Sequence, residues 1–163
     1  MAEYWDIYDR DRNLTGRTIR RGDPFQEGEY YVCCDFWVMN SAGQFLISRR
    51  HPAKKRGGLW EFGGGGVLAG ETTLQAVIRE VGEELGLRVT EKEPRLLATY
   101  ANKNYFLDVF LIRKDARISD LRLQPEEVTE AKWVTEEELF RMMDSGEFIH
   151  SDAVRFQLYR HLI

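Results

Sequence analysis

The chain has 163 residues, 43% of them hydrophobic and 12% aromatic, with a formal net charge of −4 and a pI near 5.5. That length lets one domain bury a real core, and the acidic balance argues against general affinity for nucleic-acid backbones, which need a basic field. No apolar run is long enough to span a bilayer and no signal peptide is evident, so the expected setting is the cytoplasm, without membrane or nucleic-acid partners.

Residues 1–28 read as an N-terminal arm. Glu3–Asp9 (EYWDIYD) looks like a short strand, Asp11–Gly16 offers a turn, and Arg17–Ile19 pairs back as a hairpin. Such a hairpin either covers a sheet edge or carries Trp5 or Tyr8 to a dimer contact or a substrate pocket. Tyr30–Asn40 (YYVCCDFWVMN) is rich in aromatic and β-branched residues and reads as a central strand. Ser41–Gly43 turns it, and Gln44–Arg50 returns as its hairpin partner. Cys33 and Cys34 lie in the first of these strands, one facing the core and one the opposite face. Adjacent in sequence, they are poor candidates for a mutual disulfide and read as structural thiols.

His51–Gly58 (HPAKKRGG) is a basic loop. It is either a solvated segment or a cradle for substrate phosphates, with Arg49, Arg50, Lys54 and Lys55 as candidate phosphate-binding residues. Trp60, in the short strand Trp60–Phe62, joins them as a substrate-binding candidate. Four glycines follow, Gly63–Gly66, where backbone can approach a metal or phosphate closely.

The segment Gly65–Leu87 (GGVLAGETTLQAVIREVGEELGL) carries the densest chemistry. Leu74, Val77, Ile78, Val81 and Leu85 form an apolar stripe at helical spacing. Thr72 and Gln75 form a capping box, and Gly86 is placed to end the helix in a left-handed conformation. Glu80, Glu83 and Glu84 share the opposite face, where like charges repel. A divalent cation reverses that repulsion, because hard cations take oxygen ligands. Arg79 can pair with an acid such as Glu71. Gly82 costs about 1 kcal/mol inside a helix, for which a close packing contact is the expected reason. As a P-loop the segment fails, because Glu71 stands where the phosphate-binding Lys belongs. As a dinucleotide fingerprint it lacks the βαβ context.

Further on, Arg95–Ala101 and Tyr105–Arg113 read as a second hairpin, Ala116–Pro125 as a loop and Ala131–Val134 as a final strand. Thr135 and Glu138 form another capping box. Ser151 or Asp152 is expected to cap a C-terminal helix with Val154, Leu158 and Leu162 on its inner stripe.

Read in order, Gly65, Glu71, Arg79, Glu80, Val81, Glu83, Glu84, Gly86 and Leu87 match G-x5-E-x7-R-E-U-x-E-E-x-G-U, with U apolar, at every specified position. Average composition makes a chance match rarer than about one in 10⁷ per starting position. The chain thus resembles the Nudix hydrolases, which cleave nucleoside diphosphates linked to another moiety, X, using Mg²⁺ or Mn²⁺. The resemblance implies an α+β fold, a mixed β-sheet sandwiched between α-helices, with residues 1–163 as a single such domain. It implies that Glu80, Glu84 and Glu83, with the backbone carbonyl of Gly64, bind the metal, and that Arg79 and Glu71 hold the ligands in place. The general base would be Glu83 or a loop glutamate, Glu126, Glu127 or Glu130. The expected partner is a nucleotide-type small molecule, and N-terminal arms in this family serve substrate pockets as well as homodimer contacts.

Segments 44–50, 55–60 and 127–134 also resemble the isopentenyl-diphosphate isomerases, relatives of the same fold. Those enzymes carry a catalytic Cys shortly after the tryptophan matching Trp60. Here Gly63–Gly66 occupy that place, and no cysteine follows Cys34. A catalytically silent nucleotide sensor is a third reading, against which the intact acids argue.

Overall fold

The computed structural model describes all residues, 1–163. The fold is built on β3 (Tyr31–Met39), whose alternating side chains serve two cores. Val32, Cys34, Phe36 and Val38 face one side, and Trp37 and Met39 the other. β3 pairs in parallel with β8 (Tyr105–Arg113) along its whole length, from Tyr31 opposite Tyr105 to Met39 opposite Arg113. β7 (Pro94–Ala101) flanks β8 antiparallel, as the second hairpin required.

The first hairpin opens sooner than its sequence suggests. β4 (Phe45–Arg50) pairs with β3 only at Val38–Leu46 and Met39–Phe45. β4 then leaves to pair with β5 (Trp60–Glu61) and with β9 (Val128–Val134). The vacated edge of β3 is taken by β6, which is the glycine run Gly63–Gly66 itself, with Cys33 opposite Gly66 and Phe36 opposite Gly63. The four glycines are therefore a strand of a mixed sheet rather than a loop.

Helix α1 (Thr73–Leu85) covers one face of the sheet through Val77, Val81 and Leu85. Helices α2 (Glu136–Asp144) and α3 (His150–Tyr159) cover the other, with Leu139 and Phe156 fully buried beside Trp37 and Leu111. The result is the expected α+β sandwich. Thr135 caps α2 with Glu138 as anticipated. α3 differs from expectation. Its N-cap is Ile149, with no side-chain cap from Ser151 or Asp152. Its inner face is Asp152, Ala153, Arg155 and Phe156, while Leu158 and Leu162 are 49% and 38% exposed. A buried ion-pair network, described below, turns the polar residues inward and leaves the leucines outside.

The N-terminal hairpin, β1 (Tyr4–Tyr8) with β2 (Leu14–Arg20), forms its own two-stranded sheet and does not cover an edge of the large one. It docks through Tyr8 and Tyr30, which exchange backbone hydrogen bonds of 2.8 and 2.9 Å, and through the Ala69 N–H donating to the Tyr4 carbonyl. Arg12, in the turn, donates to both oxygens of the buried Asp108 at 2.8 and 2.6 Å.

Gly82 has no close neighbour to explain it. A Cβ there would meet only the Leu87 carbonyl oxygen, at 3.9 Å. Gly82→Ala is therefore expected to stabilise the protein by about 0.5–1 kcal/mol, seen as a higher urea midpoint with an unchanged m-value. A lower midpoint would reveal a packing constraint at this position.

Candidate active site

The local chemistry of α1 sets the site. Thr72 accepts from the Gln75 N–H at 3.2 Å and Gln75 Oε1 accepts from the Thr72 N–H at 2.9 Å, so the helix starts where its sequence directs. Gly86 ends it at φ 68°. With the apolar stripe on the core, the acidic face is pressed onto β6. A Cβ on Gly65 would collide with the Glu80 carboxyl group, and one on Gly63 would lie 2.6 Å from Glu84 Oε2. Only backbone without side chains lets these acids come so near the sheet.

Arg79 ties the acids together. Its Nε and Nη2 donate to the two oxygens of Glu71 at 2.8 and 2.9 Å, a bidentate geometry. Its Nη1 reaches Glu80 at 2.8 Å and Glu83 at 3.2 Å, and Nη2 also donates to the Gly66 carbonyl at 3.1 Å. Burial raises the pKa of Glu71, but the hydrogen bonds from Arg79 and from the Leu68 N–H outweigh it and leave that carboxyl below its ordinary value. Glu80 is pushed up by burial in spite of Arg79. Glu84 has no ion-pair partner. Burial, and then the charges of Glu80 and Glu61, hold its carboxyl well above the ordinary value.

These side chains line a wholly polar cavity of about 150 Å³, with carboxylates from Glu3, Glu80, Glu83, Glu84 and Glu127 and cations from Arg21, Arg50, Lys54 and Arg79. Its donors are hard oxygens, including the backbone of Gly64, and this chemistry suits a hard divalent cation. No three acidic side chains converge on one point. Arg79 holds Glu80 and Glu83, and Lys54 pairs with Glu127, so cation binding here requires these pairs to loosen.

A second cavity of about 390 Å³ adjoins the first, sharing Arg21, Arg50 and Gly64–Gly66. Trp5 and Tyr31, stacked with centroids 4.8 Å apart, form part of its wall. Asp35, Asp152 and Arg155 also line it. Arg155 Nε donates to Asp35 at 2.7 Å and Nη2 to Asp152 at 2.7 Å, while the other Asp152 oxygen accepts from the Phe62 N–H at 3.1 Å. All three charged residues are buried. Burial, and then the neighbouring Asp35 charge, push the Asp152 carboxyl up to about 8.

The NUDIX domain family matches residues 32–155 of this chain. A Nudix hydrolase of Listeria monocytogenes is 40% identical over 149 residues, covering 90% of this chain and 88% of the relative. The chain belongs to the Nudix hydrolases. A Nudix hydrolase of Deinococcus radiodurans is 29% identical over 156 residues, covering 92% of this chain and 89% of the relative. A crystal structure from the same organism superposes with a TM-score of 0.76 at 27% identity, covering 90% of this chain and 91% of that one. The Nudix hydrolases are pyrophosphohydrolases of nucleoside diphosphates linked to other groups, and they generally use divalent cations.

Of the residues singled out from the sequence of this Nudix hydrolase, Glu80, Glu83, Glu84, Gly64, Arg79, Arg50 and Lys54 line one cavity, with Glu71 behind Arg79. Lys55 lines the second cavity. Arg49 and Trp60 line neither. The Arg49 Nε is bound to the Gly58 carbonyl at 2.8 Å, and the Trp60 ring lies under Lys132 Nζ at 4.4 Å. As cross-strand partners in the β4–β5 pair they share one face, on which Trp60 packs against the cluster of Trp37 and Phe62. Of the loop glutamates, Glu127 reaches the carboxylate cavity and Glu126 and Glu130 do not. Sequence reading missed Glu61, Arg21, Tyr31, Asp35 and Arg155. Their partners are remote in the chain, and only the Asp152–Arg155 spacing of three residues carried a signal.

Glu61 accepts from Arg50 Nη1 through both oxygens, at 3.1 and 2.8 Å, yet burial pushes its carboxyl up to about 7. From about pH 4.5 to 7 the folded protein therefore holds a proton that the unfolded chain has released, and stability falls as pH rises through that window. In metal-free protein, Glu61→Gln should remove that part of the slope, worth on the order of 1–3 kcal/mol. Urea titrations across the window that gave parallel curves for both proteins would contradict the assignment.

Proposed function

We propose that this protein hydrolyses a phosphoanhydride bond in a nucleoside diphosphate linked to another moiety, with Mg²⁺ or Mn²⁺ held by Glu80, Glu83, Glu84 and the Gly64 carbonyl. The observation that carries this reading is the set of acids Glu80, Glu83 and Glu84 lying against the glycine strand in an all-polar cavity flanked by Arg50 and Lys54. When bound, a divalent cation would neutralise the pyrophosphate and lower the pKa of the attacking water. Arg79, braced by Glu71, orients Glu80 and Glu83 as ligands. Arg50 and Lys54 offer positive charge to the phosphates. Glu83 and Glu127 are the two general-base candidates that reach the cavity; either accepts the water proton from there. The substrate is a nucleotide-type small molecule in the cytoplasm.

An isomerase acting on a hydrocarbon diphosphate is the weaker reading. The cavity beside the carboxylates holds a buried charged network, against which a hydrocarbon group would be buried at a cost. Cys34 is sealed in the core, and burial pushes the Cys33 thiol up to about 12, so neither serves as a proton carrier near neutral pH.

Release of phosphate and pyrophosphate from a panel of nucleoside diphosphate derivatives, with Mg²⁺, with Mn²⁺ and with chelator, tests the proposal. Glu84→Gln should lower kcat by at least about 100-fold with an unchanged circular dichroism spectrum. Full activity in that variant would overturn the metal assignment, and tight nucleotide binding without turnover in the wild type would favour a sensor. Arg79→Lys should lose about 10- to 100-fold in activity, because a single ammonium cannot reproduce the guanidinium fork. Activity within twofold of wild type would show that the fork is dispensable.

A further inference from the structure

Two cations, Arg21 and Arg50, line both the carboxylate cavity and the adjoining aromatic-walled one. They stand where a substrate that places its pyrophosphate among the acids and its remaining group in the second cavity must cross. Three of the four cations of the carboxylate cavity are committed to partners within the main fold: Arg79 to Glu71, Glu80 and Glu83, Lys54 to Glu127, and Arg50 to Glu61. Arg21 differs. Its carboxylate partner is Glu3 on the same N-terminal hairpin, 2.6 Å from Nη1.

The hairpin sets this pair deliberately close to the site. The Arg21 N–H donates to the Glu3 carbonyl at 2.9 Å, which brings the two side chains side by side. The Arg21 guanidinium lies over the Trp5 ring, 5.9 Å from its centroid. Trp5 in turn packs on the glycine strand, where a Cβ on Gly66 would lie 2.6 Å from its Nε1. A fifth carboxylate in a cavity that already holds four is electrostatically unfavourable unless Arg21 compensates it. The pair is more than two-fifths exposed at both ends, and exposed pairs contribute little to stability. Glu3 is thus an anion that a stronger, bidentate anion displaces readily.

We propose that Arg21 is a phosphate-binding residue supplied by the N-terminal hairpin, and that Glu3 occupies its guanidinium in the free enzyme as a stand-in for substrate phosphate. The proposal rests on the pyrophosphohydrolase reading of the site and names a further residue that binds its substrate. On binding, the Glu3 carboxylate is released to solvent and the guanidinium turns to the phosphate, with no covalent change.

Calorimetric binding of methylenediphosphonate, a pyrophosphate analogue that resists hydrolysis, in the presence of Mg²⁺ tests the proposal. Arg21→Ala should weaken binding about 10- to 100-fold, Arg21→Lys should recover part of that loss, and Glu3→Gln should tighten binding a few-fold. Thermal midpoints should stay close to wild type, since both side chains are exposed. Unchanged affinity in Arg21→Ala, with the wild type binding normally, would overturn the role of Arg21 and leave the hydrolase reading standing. No binding by the wild type would overturn the reading of the site itself. Weakened Mg²⁺ binding in Glu3→Gln, with affinity for the analogue not increased, would make Glu3 a cation ligand and overturn its stand-in role.

Discussion

The approach of the acidic face of α1 to a strand without side chains is the constraint on which the site depends. β6 is short, and its four glycines each admit a different intruder: Phe36 and Glu84 at Gly63, Asp35 at Gly64, Glu80 at Gly65 and Trp5 at Gly66. Any side chain at Gly65 would drive Glu80 away from the sheet, and α1 with it. The apolar stripe on the other face of α1 would then lose its contacts with Val32, Phe36 and Phe110. The same close approach that packs the core therefore brings the carboxylates together. Packing energy from the buried stripe, of the order of 1.5–3 kcal/mol for each large side chain, is what opposes the mutual repulsion of the acids.

That repulsion is balanced by three separate devices. Arg79 compensates Glu71, Glu80 and Glu83 through one guanidinium, held in place by five hydrogen bonds. Lys54 compensates Glu127 from the basic loop. Glu84, with no cation in contact, is driven towards its protonated form by burial. Each device is reversible. On the proposed reading, a divalent cation would compete for the same oxygens and offset the burial that disfavours the charged form of Glu84.

The segment Gly65–Leu87 is legible because everything it needs is local. Capping, helical period, termination and the Arg79–Glu71 pair all lie within 23 residues, and each follows from short-range geometry. The two hairpins were legible in existence but not in extent, since the departure of β4 from β3 depends on β6 and β9 competing for strand edges. The glycine run reads in the sequence as backbone open to close approach, but its pairing with β3 as a strand depends on a partner about 30 residues away and leaves no local signal. The inner face of α3 was misjudged for a clear physical reason. Leu158 and Leu162 satisfy the apolar period, but Asp152 and Arg155 face inward, where they pair with each other and with Asp35. Asp35 is 120 residues from Arg155, and no sequence period spans that distance. Arg49 and Trp60 show the converse error, in which charge and aromaticity were read without knowing which face of the sheet they occupy.

A division of labour follows from this geometry. On the proposed reading, most residues around the anhydride come from residues 64–84 and the basic loop beside them, with Glu127 and Arg21 reaching in from elsewhere in the chain. The second cavity is assembled from the N-terminal hairpin, β3, β5, the basic loop and α3, segments joined only by the tertiary fold. Arg12 on Asp108 matters in this context, because it anchors the hairpin to the central sheet and so determines where Trp5 and Arg21 stand. Its bidentate bond to a buried carboxylate has no substitute in a merely apolar contact. On that same reading, the metal-binding acids are encoded densely and locally, whereas a second cavity that received the group X would depend on the hairpin being docked.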